Sequence, residues 1–253
     1  MESTSRPSPG IVVGIDGSRW ALNAALWAVD EALSRNVPLR LIYVVQPRNR
    51  DEFDGQEASR DLARADIAIR QARIALESTE KPVSIEWAVV HGEPADVLLH
   101  ASESADMLCV GSFGVTHAVG DQRAGSTATA LSAAAGCPVA VIGRDSGPYT
   151  PTGRIVVAVD GTADSAHVLT VAGDEAELRG AQLTIVDASQ PGCTAAADGD
   201  DHGGDPVQLL IIGQQGNQTH DVTCPVLICP QPRPVAVTRA RKVHCNGEGI
   251  PCR

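Results

Sequence analysis

The segment IVVGIDGS at residues 11–18 recurs as IVVAVDGT at residues 155–162. Each segment is a short β-branched apolar run followed by Asp-Gly and a hydroxyl residue, which is typical of a buried strand that turns directly into a helix. The spacing of 144 residues persists into the next helix, where residues 30–32 (DEA) correspond to residues 174–176 (DEA). The chain therefore uses one sequence unit twice.

The second copy of this unit is shorter than the first. LCVG (108–111) resembles LIIG (210–213), and GCPVAVI (136–142) resembles TCPVLIC (223–229). Because the spacing falls from 144 to 102 and then to 87 residues, the second copy lacks 42 residues before the LIIG strand and 15 residues after it. The later loss removes nearly all of the stretch that follows Gly111 in the first copy.

Hydrophobic periodicity in the first copy predicts five strands alternating with four helices. The strands are predicted at 11–15, 39–45, 83–90, 107–111 and 139–142, and the helices at 19–35, 57–78, 94–104 and 126–135. This alternation predicts an α/β fold with a parallel five-stranded doubly wound sheet, followed by a truncated second copy. We assign residues 11–145 to a complete domain, 154–231 to the shortened one and 232–253 to an irregular tail.

Composition narrows the function classes. The formal net charge of -11 argues against nucleic acid or anionic membrane as a partner. No apolar run reaches the roughly 20 residues that span a bilayer, and the first ten residues lack the apolar core of a signal peptide, which predicts a cytoplasmic protein. The seven cysteines lack zinc-site spacing, so no metal site is predicted.

Two candidate binding features follow the first and second strands, at the sheet edge where ligands of open parallel sheets bind. Gly14 lets a ligand approach the backbone, and Asp16 can accept hydrogen bonds from ribose hydroxyls. The other interpretation of these residues is an ordinary capped turn. At the end of the second strand, backbone groups around Val44 can recognise an adenine edge, unless this stretch is simply core.

A third feature follows the fourth strand. Gly111 and Gly114 bracket GSFG, and ten residues later Gly125, Ser126 and Thr127 open a helix. Glycines let amide groups approach an anion closely, and a helix N-terminus favours phosphate. The alternative is a plain loop, since neither a Walker A nor a GxGxxG motif is present.

Taken together, Asp16, GSFG (111–114), GST (125–127) and CPVAVI (137–142) resemble the universal stress protein family. The resemblance covers residues 11–143 fully and 154–230 in reduced form. It implies an adenine nucleotide alpha-hydrolase-like fold. The family pattern has nine residues between the second and third glycines, whereas this chain has ten.

The resemblance also implies a set of nucleotide contacts. Gly14 and Asp16 would flank the adenosine, and Val44 would contact adenine through its backbone. The ribose and phosphates would be held by Gly111, Gly114, Gly125, Ser126 and Thr127. Arg123, in the loop between the glycines, is either a contact for a terminal phosphate or a solvated loop charge.

The second copy keeps Asp160, Gly161 and Gly213 but has no counterpart of Gly114, Gly125 or Ser126. We therefore expect it to hold no triphosphate. It is expected instead to pair with the first copy within the chain, or to support a homodimer.

The resemblance implies a stress-response protein that binds ATP, with or without Mg, or a related adenine nucleotide, and acts in regulation. No general base or nucleophile stands out beside the glycine loop except His117, so we do not expect an enzyme. The alternative is a relative that binds no nucleotide and works only through protein–protein association. A third class of proteins, electron-transfer flavoproteins and nucleotide alpha-hydrolase relatives, is built on the same kind of parallel sheet. No added cofactor signature supports that class.

Overall fold

The computed structural model describes residues 9–47, 55–114, 124–143, 153–189, 206–214 and 224–231. The first half contains β1 (Ile11–Ile15), α1 (Arg19–Arg35), β2 (Leu39–Val45), α2 (Gly55–Glu77), β3 (Ile85–His91), α3 (Pro94–Ser102), β4 (Met107–Gly111), α4 (Ser126–Ala134) and β5 (Val139–Ile142). The second half contains β6 (Arg154–Val159), α5 (Ser165–Arg179), β7 (Gln182–Asp187), β8 (Val207–Gly213) and β9 (Val226–Cys229).

Local capping chemistry explains why α1 has the predicted bounds. Ser18 is the N-cap, and its hydroxyl accepts a hydrogen bond from the Ala21 amide at 3.1 Å. Asn36 ends the helix in the left-handed conformation, with φ of 53°. Asparagine tolerates this conformation better than most residues and is a common helix terminator.

Several predicted boundaries differ from the structure by one or two residues: α2 spans Gly55–Glu77 rather than 57–78, α4 ends at Ala134 rather than residue 135, and the third strand ends at His91 rather than residue 90. The third strand begins at Ile85 rather than residue 83, because Val83 donates to the Lys81 carbonyl in a turn at 2.8 Å before the ladder with β2 starts. Helix α3 ends at Ser102 rather than residue 104. Glu103 and Ser104 donate to carbonyls three residues back, which is a tightened last turn.

All described strands belong to one sheet, in the order β3-β2-β1-β4-β5-β9-β8-β6-β7. Every pairing is parallel except that of β5 with β9, which joins the two halves. In that antiparallel pair Ala140 lies opposite Leu227, its own counterpart at the spacing of 87 residues. The two halves are thus related by a local twofold axis that passes between these residues.

Helices cover both faces of the first half, as expected for a doubly wound sheet. On one face α1 and α2 pack over inward-facing strand residues such as Val13 and Leu41, and α5 continues this layer into the second half. On the other face Leu98 of α3 and Leu131 of α4 pack over Val12 and Leu108. In the described part of the second half, α5 is the one helix and it lies on the first face.

Four charged side chains join α1 to α5 across the local twofold axis. Glu31 and Arg35 of α1 correspond to Glu175 and Arg179 of α5 at the spacing of 144 residues. Within each helix the pair is four residues apart, with nitrogen–oxygen distances of 3.2 Å in α1 and 3.3 Å in α5. Between the helices, Arg35 pairs with Glu175 and Arg179 with Glu31.

This charge cluster, defined by those four residues, is buried except for the half-buried Arg35. Its formal charge is zero, and each carboxylate is paired with both guanidinium groups, which is the arrangement that makes buried charges tolerable. Arg179 also lies 5.0 Å from the centre of the Trp27 ring in α1. Glu31 and Glu175 are the central residues of the repeated DEA motif, for which the sequence predicted no role.

Candidate functional site

A cleft of about 630 Å³ opens beyond the carboxyl ends of β1, β2 and β4. One wall is α2, and the opposite wall is formed by the first turns of α3 and α4. All eight residues predicted from the sequence line this cleft: Gly14, Asp16, Val44, Gly111, Gly114, Gly125, Ser126 and Thr127. The structure brings them together; their role in binding stays a prediction.

Asp16 is held in a defined orientation by the backbone. One carboxylate oxygen, Oδ1, accepts a hydrogen bond from the Ser18 amide at 2.8 Å. Gly17 completes this turn with φ of +85°, a conformation that favours glycine. The carboxylate is exposed at the cleft floor, and it is the one carboxylate among the described lining residues.

Gly114 and Gly125, which follow β4 in the chain, differ in whether their surroundings require a glycine. A Cβ on Gly114 would lie 3.2 Å from Asp16 Oδ2, so a side chain there would press on the carboxylate. The Gly125 amide donates to the Ser112 carbonyl at 2.8 Å, which brings the start of α4 against the GSFG segment. A Cβ on Gly125 would make only ordinary contacts, so this close approach does not itself require glycine.

Gly111 and Gly14 have packing roles that the sequence did not predict. A Cβ on Gly111 would lie 2.6 Å from Cβ of Trp20 and 2.7 Å from its carbonyl carbon. The missing side chain therefore lets α1 approach the end of β4, and the predicted contact of Gly111 with an anion stays a prediction. A Cβ on Gly14 would lie 3.0 Å from Leu98 Cδ1, so its absence admits α3.

Helix α4 presents its first turn to the cleft. Gly125 is the N-cap and offers no side chain to bond the first amides, so backbone donors near Ser126 and Thr127 lack a side-chain cap. Uncapped amides at a helix start, together with the positive end of the helix dipole, favour an anionic group. This is the feature of the cleft most suited to phosphate oxygens.

At the end of β2, Val44 and Tyr43 lie on opposite faces of the sheet edge. Val44 packs with the α3 face, and Tyr43 packs with the α1 and α2 face. Partial burial raises the pKa of Tyr43, and the negative charges of Asp16 and Asp61 add to the rise. The tyrosine hydroxyl is therefore a neutral hydrogen-bonding group at physiological pH.

The α2 wall is the part of the cleft that sequence reasoning missed. Arg64, Ile67, Ala68 and Gln71 line it. Their spacing of three, four and seven residues places them on one helix face, so the periodicity held this signal. Arg64 pairs with Asp61 at 3.2 Å, and it is the one cation among the described lining residues.

Several predicted features lie outside the described residues, including Arg123 and the rest of residues 115–123, and the predicted tail at 232–253. Among the residues that are described, no group of three or more His, Cys, Asp or Glu side chains could hold a metal ion. No described helix combines the length and apolar character needed to cross a bilayer.

The second half repeats the aspartate turn. Asp160 Oδ1 accepts hydrogen bonds from the Thr162 amide at 3.0 Å and from the Thr162 hydroxyl at 2.6 Å. These hydrogen bonds lower the pKa of Asp160. Among the described residues of this half, no helix corresponds to α2, α3 or α4, the helices that form the walls around Asp16.

Comparisons with known proteins agree with this architecture. The model of the universal stress protein family matches residues 10–143, just over half of the chain. A universal stress protein of Mycobacterium tuberculosis is 42% identical over 202 residues, which cover 78% of this chain and 71% of that protein. A second one from the same organism is 46% identical over 184 residues, covering 73% and 66%.

A universal stress protein of known structure from Archaeoglobus fulgidus has the same fold. It superimposes with a TM-score of 0.68 at 14% identity, over 88% of this chain and 98% of that chain. The superposition extends beyond the first half, so the second half shares in the likeness.

Proposed function

Because the chain belongs to the universal stress protein family, we propose that its first half binds ATP or a related adenine nucleotide and that the protein acts as a regulatory component of a stress response. One observation supports this most strongly. Residues from the ends of three strands and from the first turn of α4 meet in a single cleft. This is the position where open parallel sheets bind their ligands.

The order of the strands suggests how a nucleotide would lie. The ends of β2, β1 and β4 follow one another along the sheet edge. The adenine would lie near Val44, the ribose hydroxyls near Asp16, and the phosphates between Gly114 and the first turn of α4. Each group of the ligand then meets a matching chemistry: apolar side chains, a carboxylate acceptor and backbone amides.

The residues present fit such a ligand. The cleft of about 630 Å³ falls within the roughly 300–1,000 Å³ of small-molecule sites. Gly114 leaves open the space beside Asp16 that a Cβ would fill. Mg²⁺ typically binds through one or two carboxylates together with substrate phosphates, so Asp16 could contribute to Mg²⁺ that arrives with the nucleotide.

We propose that the protein binds the nucleotide without catalysing a reaction on it. We also propose that the protein is cytoplasmic. Asp16 already accepts the Ser18 amide, which suits a fixed acceptor for ribose hydroxyls. The regulatory signal would pass through the joint between the halves, which consists of the β5–β9 pair and the charge cluster of α1 and α5, or through association with a second copy. Light scattering with and without ATP tests this point, since a dimer that forms regardless of nucleotide favours association alone.

Isothermal titration of ATP, with and without Mg²⁺, tests the binding site. We expect one nucleotide per chain and a tenfold to hundredfold loss of affinity in Asp16→Ala, the scale of a hydrogen bond to a charged group. Asp160→Ala is the matched control, because it removes the same turn acceptor in the second half. Equal affinities in both variants, or no binding by the wild type, would refute the proposed site.

A further inference from the structure

Ile67 is an apolar side chain that lies exposed inside the cleft. It projects from α2 between Arg64 and Gln71, and its relative exposure is 54%. The neighbouring Ala68 is buried in the core cluster that also contains Ile15 of β1 and Ala72 of α2. This burial holds α2 against the sheet, so Ile67 has a fixed place next to the cleft floor.

Exposure alone does not give Ile67 a role, since single apolar side chains are common on protein surfaces. Ile74 provides the comparison. It lies two helical turns further along α2, on nearly the same face, and is 60% exposed. Ile74 is not part of the cleft lining, whereas Ile67 is. The two residues thus have similar exposure and differ in whether they line the cleft.

The wall opposite α2 is apolar as well. Leu98, Val110 and Pro94 line it, and Val44 lies between the two walls at the end of β2. A cleft with apolar side chains on both walls and polar groups at one end matches an amphipathic ligand with a flat apolar part. A nucleobase has this chemistry, and a free phosphate or polyphosphate does not.

We propose that Ile67 packs against a face of the bound nucleobase, so that the α2 wall determines whether a ligand with a planar base is preferred over a bare phosphate anion. The inference rests on the proposed nucleotide site and assigns its base-covering wall. Ile67 is then a specificity residue that acts on the base alone. Its contribution is independent of the number of phosphates on the ligand.

The test compares Ile67→Ser with Ile74→Ser by titration with AMP, ATP and inorganic triphosphate. We expect Ile67→Ser to weaken AMP and ATP alike by about tenfold, the scale of lost apolar contact in a binding pocket. Triphosphate binding should not change, and Ile74→Ser should alter every affinity by less than about twofold. Ile67→Met, which keeps an apolar side chain, should retain most of the nucleotide affinity.

Two results would overturn the inference while leaving the proposed function standing. One is unchanged nucleotide affinity in Ile67→Ser while the wild type binds ATP. The other is a loss for ATP that AMP does not share, which would place Ile67 beside the phosphates. A wild type that binds none of the nucleotides overturns both the inference and the proposed function. Thermal unfolding of each variant checks that the fold is retained.

Discussion

Leu41 of β2 and Ile185 of β7 are counterparts 144 residues apart, yet Leu41 is fully buried and Ile185 is 59% exposed. In the first half α2 packs over β2, whereas no described helix takes that place over β7. The strand-helix-strand unit is present in both halves and supplies the strands and the aspartate turn at the cleft floor. Helices α2, α3 and α4, which have no described counterpart in the second half, supply the walls of the cleft.

The two aspartate turns support the same distinction. Asp16 and Asp160 each accept a backbone amide two residues ahead, at 2.8 Å and 3.0 Å. The turn is therefore a property of the repeated unit and of its strand-to-helix connection. What distinguishes Asp16 is its surroundings, because α2 lies on one side and Gly114 on the other.

The largest effect should come from breaking the charge cluster that couples the halves. Glu175→Ala leaves Arg35 and Arg179 with Glu31 as their remaining partner in the cluster, and we expect a loss of about 3–5 kcal/mol in the free energy of unfolding. The three tryptophans, at 20, 27 and 87, all lie in the first half. Tryptophan fluorescence during urea unfolding therefore reports how a change in α5 affects the other half.

Glu177→Ala is the control for this experiment, because Glu177 lies exposed on the same helix. We expect it to leave the tryptophan transition in place. The Glu175→Ala, Arg35→Ala double variant should recover part of the loss, since it removes both members of an inter-helix ion pair. If Glu175→Ala left the tryptophan transition at the wild-type urea concentration, the halves would not be coupled through this cluster.

A smaller effect should appear as a pH dependence of the free energy of unfolding, because Glu31 of the charge cluster titrates. Burial raises the pKa of Glu31 from its ordinary 4.5 to about 7, against the lowering effect of Arg179 and Arg35. The folded state then holds this proton more tightly than the unfolded state. The stabilisation that comes from binding this proton is fully present below pH 4.5 and is lost as the pH rises through about 7. The free energy of unfolding falls by about 3 kcal/mol over this range.

Glu31→Gln isolates this contribution, because glutamine resembles the protonated acid and does not titrate. Measured by urea unfolding at steps from pH 4.5 to 7.5, the variant should gain stability relative to the wild type as the pH rises. Glu177→Gln supplies the baseline for other titrating groups. A stability difference between wild type and Glu31→Gln that stays flat across this range contradicts the expected proton uptake.

Most of the fold could be predicted from the sequence, for a physical reason. Buried parallel strands are short β-branched runs, and the bounds of β1, β2, β4 and β5 follow from them. The single continuous sheet could not be predicted, because the repeat spacing carries no information on which edge strands meet. The antiparallel match of Ala140 with Leu227 depends on packing across the joint.

The candidate site was only partly accessible to sequence reasoning. Residues at strand ends, such as Asp16 and Val44, could be placed because parallel strands end at one edge. The α2 wall was missed because Ile67 looks like any apolar residue on a helix. Which side of a helix faces a cleft depends on its tilt over the sheet, and sequence periodicity does not fix that tilt.

The smallest expected effect tests the uncovered side of the second half. Ile185→Ala should change the free energy of unfolding by less than about 0.5 kcal/mol, since an exposed side chain loses little on truncation. Leu41→Ala at the matching buried position should lose about 2–5 kcal/mol. A loss above about 1 kcal/mol for Ile185→Ala would mean that the β7 face is covered in solution. Repeating the measurement at several protein concentrations identifies a second copy as the cover, because the stability of an associated state depends on concentration.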